Sequence, residues 1–407
     1  MQPQIYPQNE HLIPTTKIDH HAFYIIEKLK QNGHEAYLVG GGVRDLLMDA
    51  IPKDFDISTS ARPEEVKRLF PSCILIGRRF RLAHIRFGKK IIEVSTFRAG
   101  DIEESKLIVQ DNLWGSPQED AMRRDFTING LFYDPEKETV IDFVEGMADI
   151  KEKTLRTIGS PEKRFIQDPV RMIRLLKFQA RFGFHIAAET QLALQNSREE
   201  IRNSSQARIF EELLKMLESG HAKKFFSLLD ENGFLRILMP WLQKSPLKTE
   251  ALGLLEEFDA KAMQHSILQG NRILPLSCLI YPLLHEELKK HDPERTHLGV
   301  IADIANTLIN ELFLPFFQVP RRMKALMISM LISQYRMTPL RENPHRRLRM
   351  PRDPDFPDAL PLLFLRMQKE PNLASVYRQW EELLSHHKPA PRKGTNEKRH
   401  FNRRRRT

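Results

Sequence analysis

The sequence predicts an α+β domain at the amino-terminal end, an all-α region after it and a disordered, strongly basic tail. Short apolar runs of strand length alternate with helical patterns up to about residue 150. From Lys151 onward the strand patterns fade, and apolar residues recur at helical spacing. Residues 388–407 contain nine Lys or Arg and one acid, so this segment holds most of the net charge of +10.

The composition indicates a protein without membrane-spanning segments. The 407 residues are enough for two or three domains. The chain contains no run of about 18 apolar residues, and its first residues lack the pattern of a secretory signal. Cys73 and Cys278 are too few and too far apart in sequence for a disulfide framework or a zinc site. These features predict a cytoplasmic protein.

Residues 1–17 contain three prolines and little periodicity, so we expect a flexible leader. An α+β head is expected over residues 18–152, where strand and helix patterns alternate. The predicted elements are helices over 18–30, 43–48 and 60–70, and strands over 36–39, 73–76, 83–87, 90–97 and 140–143.

A glycine run separates the first predicted strand from the helix that follows it. The apolar residues 36–39 lead into Gly40, Gly41 and Gly42, and helical spacing resumes at once. Glycines let the backbone approach a phosphate closely, and the start of a helix, with Arg44 beside it, favours an anion. The run predicts a phosphate site, although a tight turn alone also requires glycine.

Two carboxylates follow the glycine run within a dozen residues. In the segment Lys53–Ile57, Asp54 and Asp56 alternate with apolar Phe55 and Ile57. If this segment is a strand, both carboxylates point to one face, where they repel each other unless a cation lies between them. A hard divalent ion such as Mg²⁺ accepts such oxygen ligands together with substrate phosphates. The alternative is an exposed strand face.

Two further segments of the head each have two interpretations. Residues 77–82 contain three arginines and one phenylalanine, which suit either a solvated turn or a contact with phosphates and a base. Glu93 lies in a predicted strand and is a candidate third carboxylate. The alternative for Glu93 is an ion pair with a nearby arginine such as Arg86.

A dense group of charged residues follows a predicted helix start. The segment Ser116–Glu119 has the pattern of a capping box with proline at the first helical position. Arg123 and Arg124 then precede Asp125 and an apolar run. Arginine forks suit triphosphate oxygens, and Asp125 suits alignment of a sugar or of an arginine. The alternative is a capped helix junction with a surface ion pair.

A second capped helix is predicted after the head. Asp168 and Pro169 have the pattern of an N-cap followed by proline, and Gly183 ends the helix. Arg171 and Arg174 share a face because they are three residues apart. Asp168 and Arg171 together offer an acceptor and donors that match the edge of a base. An ion pair at the start of the helix is the alternative.

The rest of the chain is predicted to be helical and basic at its end. We expect a helical neck over 153–220, a helical body over 221–387 and a disordered tail over 388–407. Residues 343–357 carry four arginines among prolines, typical of a basic loop or a second RNA contact. The tail favours contact with a polyanion, because acidic tails serve solubility better.

Four motifs, in this order and spacing, resemble the class II nucleotidyltransferases of the polymerase-β superfamily. They are LVGGGVRD at 38–45, DFD at 54–56, RRDFTIN at 123–129 and DPVR at 168–171. This family comprises bacterial poly(A) polymerases and CCA-adding tRNA nucleotidyltransferases. The resemblance covers about residues 18–220. It implies a polymerase-β-like palm with a mixed sheet and helices, a neck that selects the nucleotide, and a helical body and tail that bind RNA.

Within the family, the segment LIGRRFRLAHI at 75–85 resembles the poly(A) polymerase form, and the arginine-rich end also fits it. The resemblance implies template-independent transfer of AMP from ATP to RNA 3′ ends with release of pyrophosphate, which promotes RNA processing and decay. The alternatives are CCA addition to tRNA from CTP and ATP, and, in another class, an RNA-binding module without catalysis. Two residues depart from the family pattern: Gln167 replaces an acid and Gly130 replaces an alanine.

The resemblance also assigns roles to individual residues. The catalytic ones are Asp54, Asp56 and Asp125, of which Asp54 and Asp56 hold Mg²⁺ or Mn²⁺. The nucleotide-binding ones are Gly41, Arg44, Arg123, Arg124, Asp168, Arg171 and Arg174. Asp125 acts either as the third acid or as an organiser of the arginines, and Glu93 competes for the role of third acid. The implied partners are ATP and the 3′ ends of mRNA, small RNA or tRNA.

Overall fold

The computed structural model of the chain describes residues 2–77, 82–99, 114–262, 264–314, 316–341 and 348–386. The chain divides into two compact units, Met1–Leu213 with Ser227–Ile237 and Leu214–Phe226 with Leu238–Thr407. The head and most of the expected neck therefore fall in one compact unit. The predicted boundaries at 152, 220 and 387 stay predictions.

The first unit is built on a mixed sheet of eight strands. These are β1 (Gln4–Pro7), β2 (Ala36–Val39), β3 (Asp56–Thr59), β4 (Cys73–Ile76), β5 (Leu82–Phe87), β6 (Lys90–Thr96), β7 (Leu131–Asp134) and β8 (Thr139–Asp142). Their order in the sheet is β1-β8-β7-β2-β3-β6-β5-β4. β3 and β6 are parallel, and the other neighbours are antiparallel. A separate parallel pair joins β9 (Thr154–Leu155) to β10 (His185–Ile186). The α+β prediction for the head is confirmed.

In chain order, helices lie between and after the strands of this unit. They are α1 (Gln8–His11), α2 (His20–Gln31), α3 (Gly41–Leu47), α4 (Pro63–Leu69), α5 (Pro117–Met122), α6 (Gly146–Lys151), α7 (Pro161–Gln167), α8 (Val170–Phe182) and α9 (Ala188–Asn196). At α5 the Ser116 hydroxyl accepts from the Glu119 backbone N–H, and the Glu119 carboxylate accepts from the Ser116 N–H. α8 ends at Gly183, which has a φ of 69°.

The amino-terminal segment differs from the expected flexible leader. β1 pairs with β8 in antiparallel register, with Gln4 opposite Asp142. His11 is buried, contacts the Glu138 carbonyl through Nε2 at 3.0 Å and accepts from the Ile13 N–H. The prediction of a flexible leader is therefore wrong for residues 4–17. A four-residue edge strand bounded by prolines has too little periodicity to be recognised in sequence.

The carboxylate segment is a strand only in its second half. β3 begins at Asp56, so Asp54 precedes the strand. The expected alternation in burial is nevertheless present. Asp54 and Asp56 are exposed, Phe55 is half-buried and packs against the core of the sheet, and Ile57 is fully buried. The apolar positions attach this segment to the core and leave both carboxylates outside it.

The described residues after 205 are mainly helical, as predicted for the rest of the neck and the body. Their helices are α10 (Gln206–Leu217), α11 (Ala222–Glu231), α12 (Leu235–Leu238), α13 (Pro240–Lys244), α14 (Lys248–Ala262), α15 (Ile273–Leu288), α16 (Leu298–Phe313), α17 (Arg321–Met337), α18 (Leu360–Lys369) and α19 (Ala374–Ser385). In the second unit α15 is buried on most of its surface. Among the helices that the structure describes, none has the length and apolar character needed to cross a membrane.

Several predicted features lie outside the described residues. They are the arginines at 78, 79 and 81, most of the loop over 101–114, two of the four arginines in the basic loop, and the tail over 388–407.

Candidate active site

The glycine turn brings the predicted phosphate site and the first carboxylate together. Gly40 has a φ of 69°, a conformation that residues with a side chain rarely adopt. A Cβ atom added to Gly40 would lie 2.9 Å from a guanidinium nitrogen of Arg124. A Cβ atom on Gly42 would lie 3.3 Å from the backbone oxygen of Asp54. The turn therefore needs glycine both for its conformation and for these two close approaches.

Asp56 and Glu93 form the centre of a carboxylate group. They are direct partners in the register of the parallel strands β3 and β6, so their side chains leave the same face of the sheet. Burial of the carboxylate by surrounding protein atoms, together with Glu93 and Asp54, raises the pKa of Asp56 to about 6, while Arg124 opposes this shift. Although burial is the largest cause, Asp56 still presents an open surface to solvent.

This donor set suits a hard divalent cation. Asp54, Asp56 and Glu93 offer only oxygen ligands, and their mutual repulsion is the kind that a cation relieves. Among the described residues, no three His, Cys, Asp or Glu side chains come close enough to enclose a metal by themselves. An open site of this kind fits Mg²⁺, which typically takes one or two carboxylates, water and substrate phosphates.

The partner of Glu93 is a histidine and not the arginine that we considered. The Nε2 atom of His84 lies 3.3 Å from Oε2 of Glu93. His84 is directly opposite Glu93 on the antiparallel strand β5. Glu93 is therefore flanked by His84 on one side and Asp56 on the other.

Arg44 lies in a different environment from the one expected of a triphosphate ligand. Its guanidinium is buried and donates to Asp45 at 2.7 and 2.9 Å and to Asn129 at 2.5 Å. It also lies over the rings of Phe178 and Phe182, at 5.1 and 4.8 Å from their centroids. The nucleotide-binding role of Arg44 stays a prediction. The donors of Arg44 bond Asp45 within α3 and Asn129, and the contacts with the two rings attach α3 to α8.

Arg124 is better placed than Arg44 to meet phosphates. Its guanidinium lies against Gly40 and donates to Asp120 at 2.9 Å and to the Ser58 hydroxyl at 3.3 Å. It is also close enough to lower the pKa of Asp56. Its neighbour Arg123 is half-buried. The structure thus brings Gly41, Arg124 and the carboxylates into one region.

Asp125 is buried and belongs to a network of charged and hydrogen-bonded side chains. It accepts from Arg174 at 2.7 Å, from Asn129 at 2.9 Å and from the Phe126 N–H. Burial alone would raise the pKa of Asp125, but Arg174 and the hydrogen bonds hold it well below its usual range. Both oxygens are thus committed to protein donors. Of the two expected roles, this geometry matches the organiser of arginines, and it leaves Glu93 as the carboxylate beside Asp56.

Asp168 and Arg171, the two residues expected to read the base, make contacts that the sequence did not predict. Both carboxylate oxygens of Asp168 accept from Arg208, at 3.0 and 2.9 Å. Asp168 makes no side-chain cap to α8, so the prediction of an N-cap is wrong. Arg171 donates to the backbone carbonyls of Arg164 and Arg123, at 3.1 and 3.5 Å. The expected ion pair between Asp168 and Arg171 is therefore not formed in this arrangement.

Comparisons with known proteins agree with this geometry. Three family models match: the poly A polymerase head domain over residues 36–156, the probable RNA and SrmB-binding site of polymerase A over 183–245, and the polymerase A arginine-rich C-terminus over 302–407. Poly(A) polymerase I of Escherichia coli O6:H1 is 36% identical over 400 residues, which cover 93% of this chain and 85% of that protein. The chain belongs to the poly(A) polymerase I family.

Other relatives are CCA-adding or tRNA-processing enzymes, which match either a shorter part of this chain in sequence or most of it in fold. The CCA-adding enzyme of Geobacillus stearothermophilus is 38% identical over 222 residues, which cover 54% of each chain. A solved structure described as a tRNA-processing enzyme in apo form I has a TM-score of 0.61 at 21% identity, and covers 92% of this chain and 95% of that one. That likeness confirms the predicted fold.

Membership of the poly(A) polymerase family makes this chain a nucleotidyltransferase enzyme. Nucleotidyltransferases of this family normally use divalent metal ions. The carboxylate group around Asp56 has the chemistry that such an ion requires.

Sequence reasoning missed several residues of the site. Asp120 is four residues before Arg124, and this spacing is the one local signal that predicts their ion pair. Asn129 is part of the RRDFTIN motif, and no local pattern predicts that it joins Arg44 to Asp125. Arg208 and Glu212, which contact Asp168 and Arg174, lie about 40 residues further along the chain. No local pattern connects such distant residues.

Proposed function

We propose that this chain adds AMP from ATP to the 3′-hydroxyl of RNA without a template and releases pyrophosphate. The observation that carries the proposal is the match to poly(A) polymerase I over 93% of the chain, whereas the match to the CCA-adding enzyme covers about half. The partners are ATP and RNA 3′ ends, as the printed names of the relatives suggest. The two cysteines are free and buried, which suits the cytoplasm.

The proposed metal is Mg²⁺, with Mn²⁺ as a substitute, held by Asp54 and Asp56, with Glu93 beside Asp56. When bound, such an ion lowers the pKa of an attacking hydroxyl and neutralises charge on the leaving group. The chain itself orients the substrates. The Gly41 backbone, Arg123 and Arg124 hold the triphosphate, because Arg124 lies against the glycine turn and near Asp56. Positioning and charge neutralisation supply most of the rate in such reactions.

The base is proposed to be read by the segment before and within α8. Asp168 offers acceptors and Arg171 donors to the edge of adenine. Arg174 supports them indirectly, because it binds Asp125 and Glu212. Arg44, Asn129 and Asp125 connect this segment to the glycine turn through buried hydrogen bonds.

A nucleotide assay tests the function. The purified protein is given ATP alone, CTP alone or both, with a tRNA that lacks its CCA end and with an unrelated RNA. Long A tracts on both RNAs are expected. Arrest after three nucleotides on the tRNA alone would show CCA addition, which the half-length relative favours. No incorporation at all would favour a non-catalytic RNA-binding module.

Arg208 is predicted to control selection of the base. Arg208→Ala removes the fork that fixes Asp168, so the preference for ATP over CTP in kcat/KM should fall about tenfold. The matched control is Arg202→Ala, because the two arginine side chains are equally exposed at 58% and Arg202 contacts only Glu199 in the ion pairs described. An equal loss in both variants would contradict this role for Arg208.

The basic tail is predicted to bind the RNA backbone. Deletion of residues 388–407 should weaken RNA binding while single-nucleotide addition persists. If all nine basic residues met phosphates, the slope of log affinity against log salt would fall by about 6. Binding is measured at several salt concentrations, with a Gly/Ser tail of equal length as control. An unchanged slope would refute the proposed contact.

A further inference from the structure

One row of side chains crosses four strands of the sheet. Ile74, His84, Glu93 and Asp56 are successive partners in the register of β4, β5, β6 and β3. Partners in register leave the same face of a sheet, and neighbouring strands are about 4.8 Å apart. The row therefore extends from the carboxylate group outward to the edge strand β4, with His84 next to Glu93.

The contact between His84 and Glu93 has a defined direction. Nε2 of His84 and Oε2 of Glu93 are 3.3 Å apart. An ionised carboxylate only accepts hydrogen bonds, so His84 donates through Nε2. The bond uses one oxygen of Glu93 and leaves Oε1 for another partner.

Glu93 needs such a restraint. Its side chain is 41% exposed and has three rotatable bonds, so fixing it has an entropic cost. Its neighbour Asp56 has the same charge, and this repulsion favours rotamers in which Glu93 turns into solvent. Asp54 and Asp56 have shorter side chains with one rotatable bond fewer, so fixing them has a lower entropic cost. Glu93 is thus the carboxylate that depends most on a neighbouring side chain.

We propose that His84 is a positioning residue that holds Glu93 beside Asp56, so that the negative charge of Glu93 strengthens the binding of a divalent ion by Asp54 and Asp56. This inference rests on the function proposed above. Groups that lie outside the metal ligands and orient the site typically change metal affinity 10- to 100-fold when they are removed.

The test measures Mn²⁺ binding to the full-length protein without nucleotide, by electron paramagnetic resonance. His84→Leu should weaken Mn²⁺ binding about tenfold and raise the Mg²⁺ concentration for half-maximal AMP incorporation by a similar factor. His84→Gln keeps an N–H near the position of Nε2 and should restore both values to within about twofold of the original protein. Ile74→Ala, in the same row but beyond His84, should change neither.

Asp56→Asn separates this inference from the proposed function. If Asp56→Asn abolishes Mn²⁺ binding while His84→Leu binds Mn²⁺ normally, the role of His84 is refuted and the metal site stands. If Asp56→Asn also binds Mn²⁺ normally, the metal site itself is wrong. A loss in His84→Leu that His84→Gln does not restore would reflect damage to β5 and would also overturn the inference.

Discussion

Asp54→Asn and Asp56→Asn should each abolish AMP incorporation while the fold stays intact. Either change removes a negative charge from the carboxylate group and weakens its hold on a divalent ion. We expect a fall of at least about a thousandfold, which corresponds to about 4 kcal/mol of lost transition-state stabilisation. Both residues are exposed and lie outside the core, so the free energy of unfolding should change little.

The measurement is single-turnover transfer of labelled AMP to an RNA primer, with the unfolding midpoint recorded for each variant. Asp49→Asn is the matched control, because the side chain of Asp49 is 90% exposed and pairs with Lys17. This control should keep normal activity. Near-normal incorporation in either Asp54→Asn or Asp56→Asn would rule out the proposed metal site.

Arg44→Met should destabilise the protein by about 3 kcal/mol. Arg44 and its partner Asp45 are both buried, and removal of one member leaves the other as a poorly compensated charge. Asn129 also loses the donor to its side-chain oxygen. The free energy of unfolding, measured by denaturant titration, should fall by this amount. Loss of the aromatic contacts with Phe178 and Phe182 adds to the effect.

The control for this prediction is the other arginine that contacts Asp45. Arg181 lies 3.1 Å from Asp45, but its side chain is 41% exposed. Arg181→Met should therefore reduce stability by less than about 1 kcal/mol. If Arg44→Met instead raised the KM for ATP without a loss of stability, Arg44 would act as a triphosphate ligand, as the family resemblance implies.

Local patterns predicted a large part of the fold. The capping box at Ser116, the stop at Gly183 and the strand-turn-helix around Gly41 depend on interactions within a few residues. The alternation of Asp54 and Asp56 with apolar neighbours likewise predicted which side chains face the core. Each of these signals is contained in a short window, because backbone hydrogen bonds and the periods of helix and strand act over that range.

Contacts between distant segments were not predictable in this way. Glu93 lies beside Asp56 only because β3 and β6 pair in parallel, and sequence does not specify that register. The pairing of β1 with β8 replaced an expected leader by an edge strand. Arg208 reaches Asp168 across 40 residues of chain.

The sequence by itself determined the paired carboxylates, the glycine turn that precedes them and the family to which they belong. Tertiary structure decided which neighbours each charged group has. It buried Arg44 against two phenylalanines, paired Asp125 with Arg174 and placed Glu93 next to Asp56. The physical reason is that a charged side chain acts through its surroundings. Burial, opposing charges and hydrogen-bond partners set its role, and these arise only when distant segments pack together.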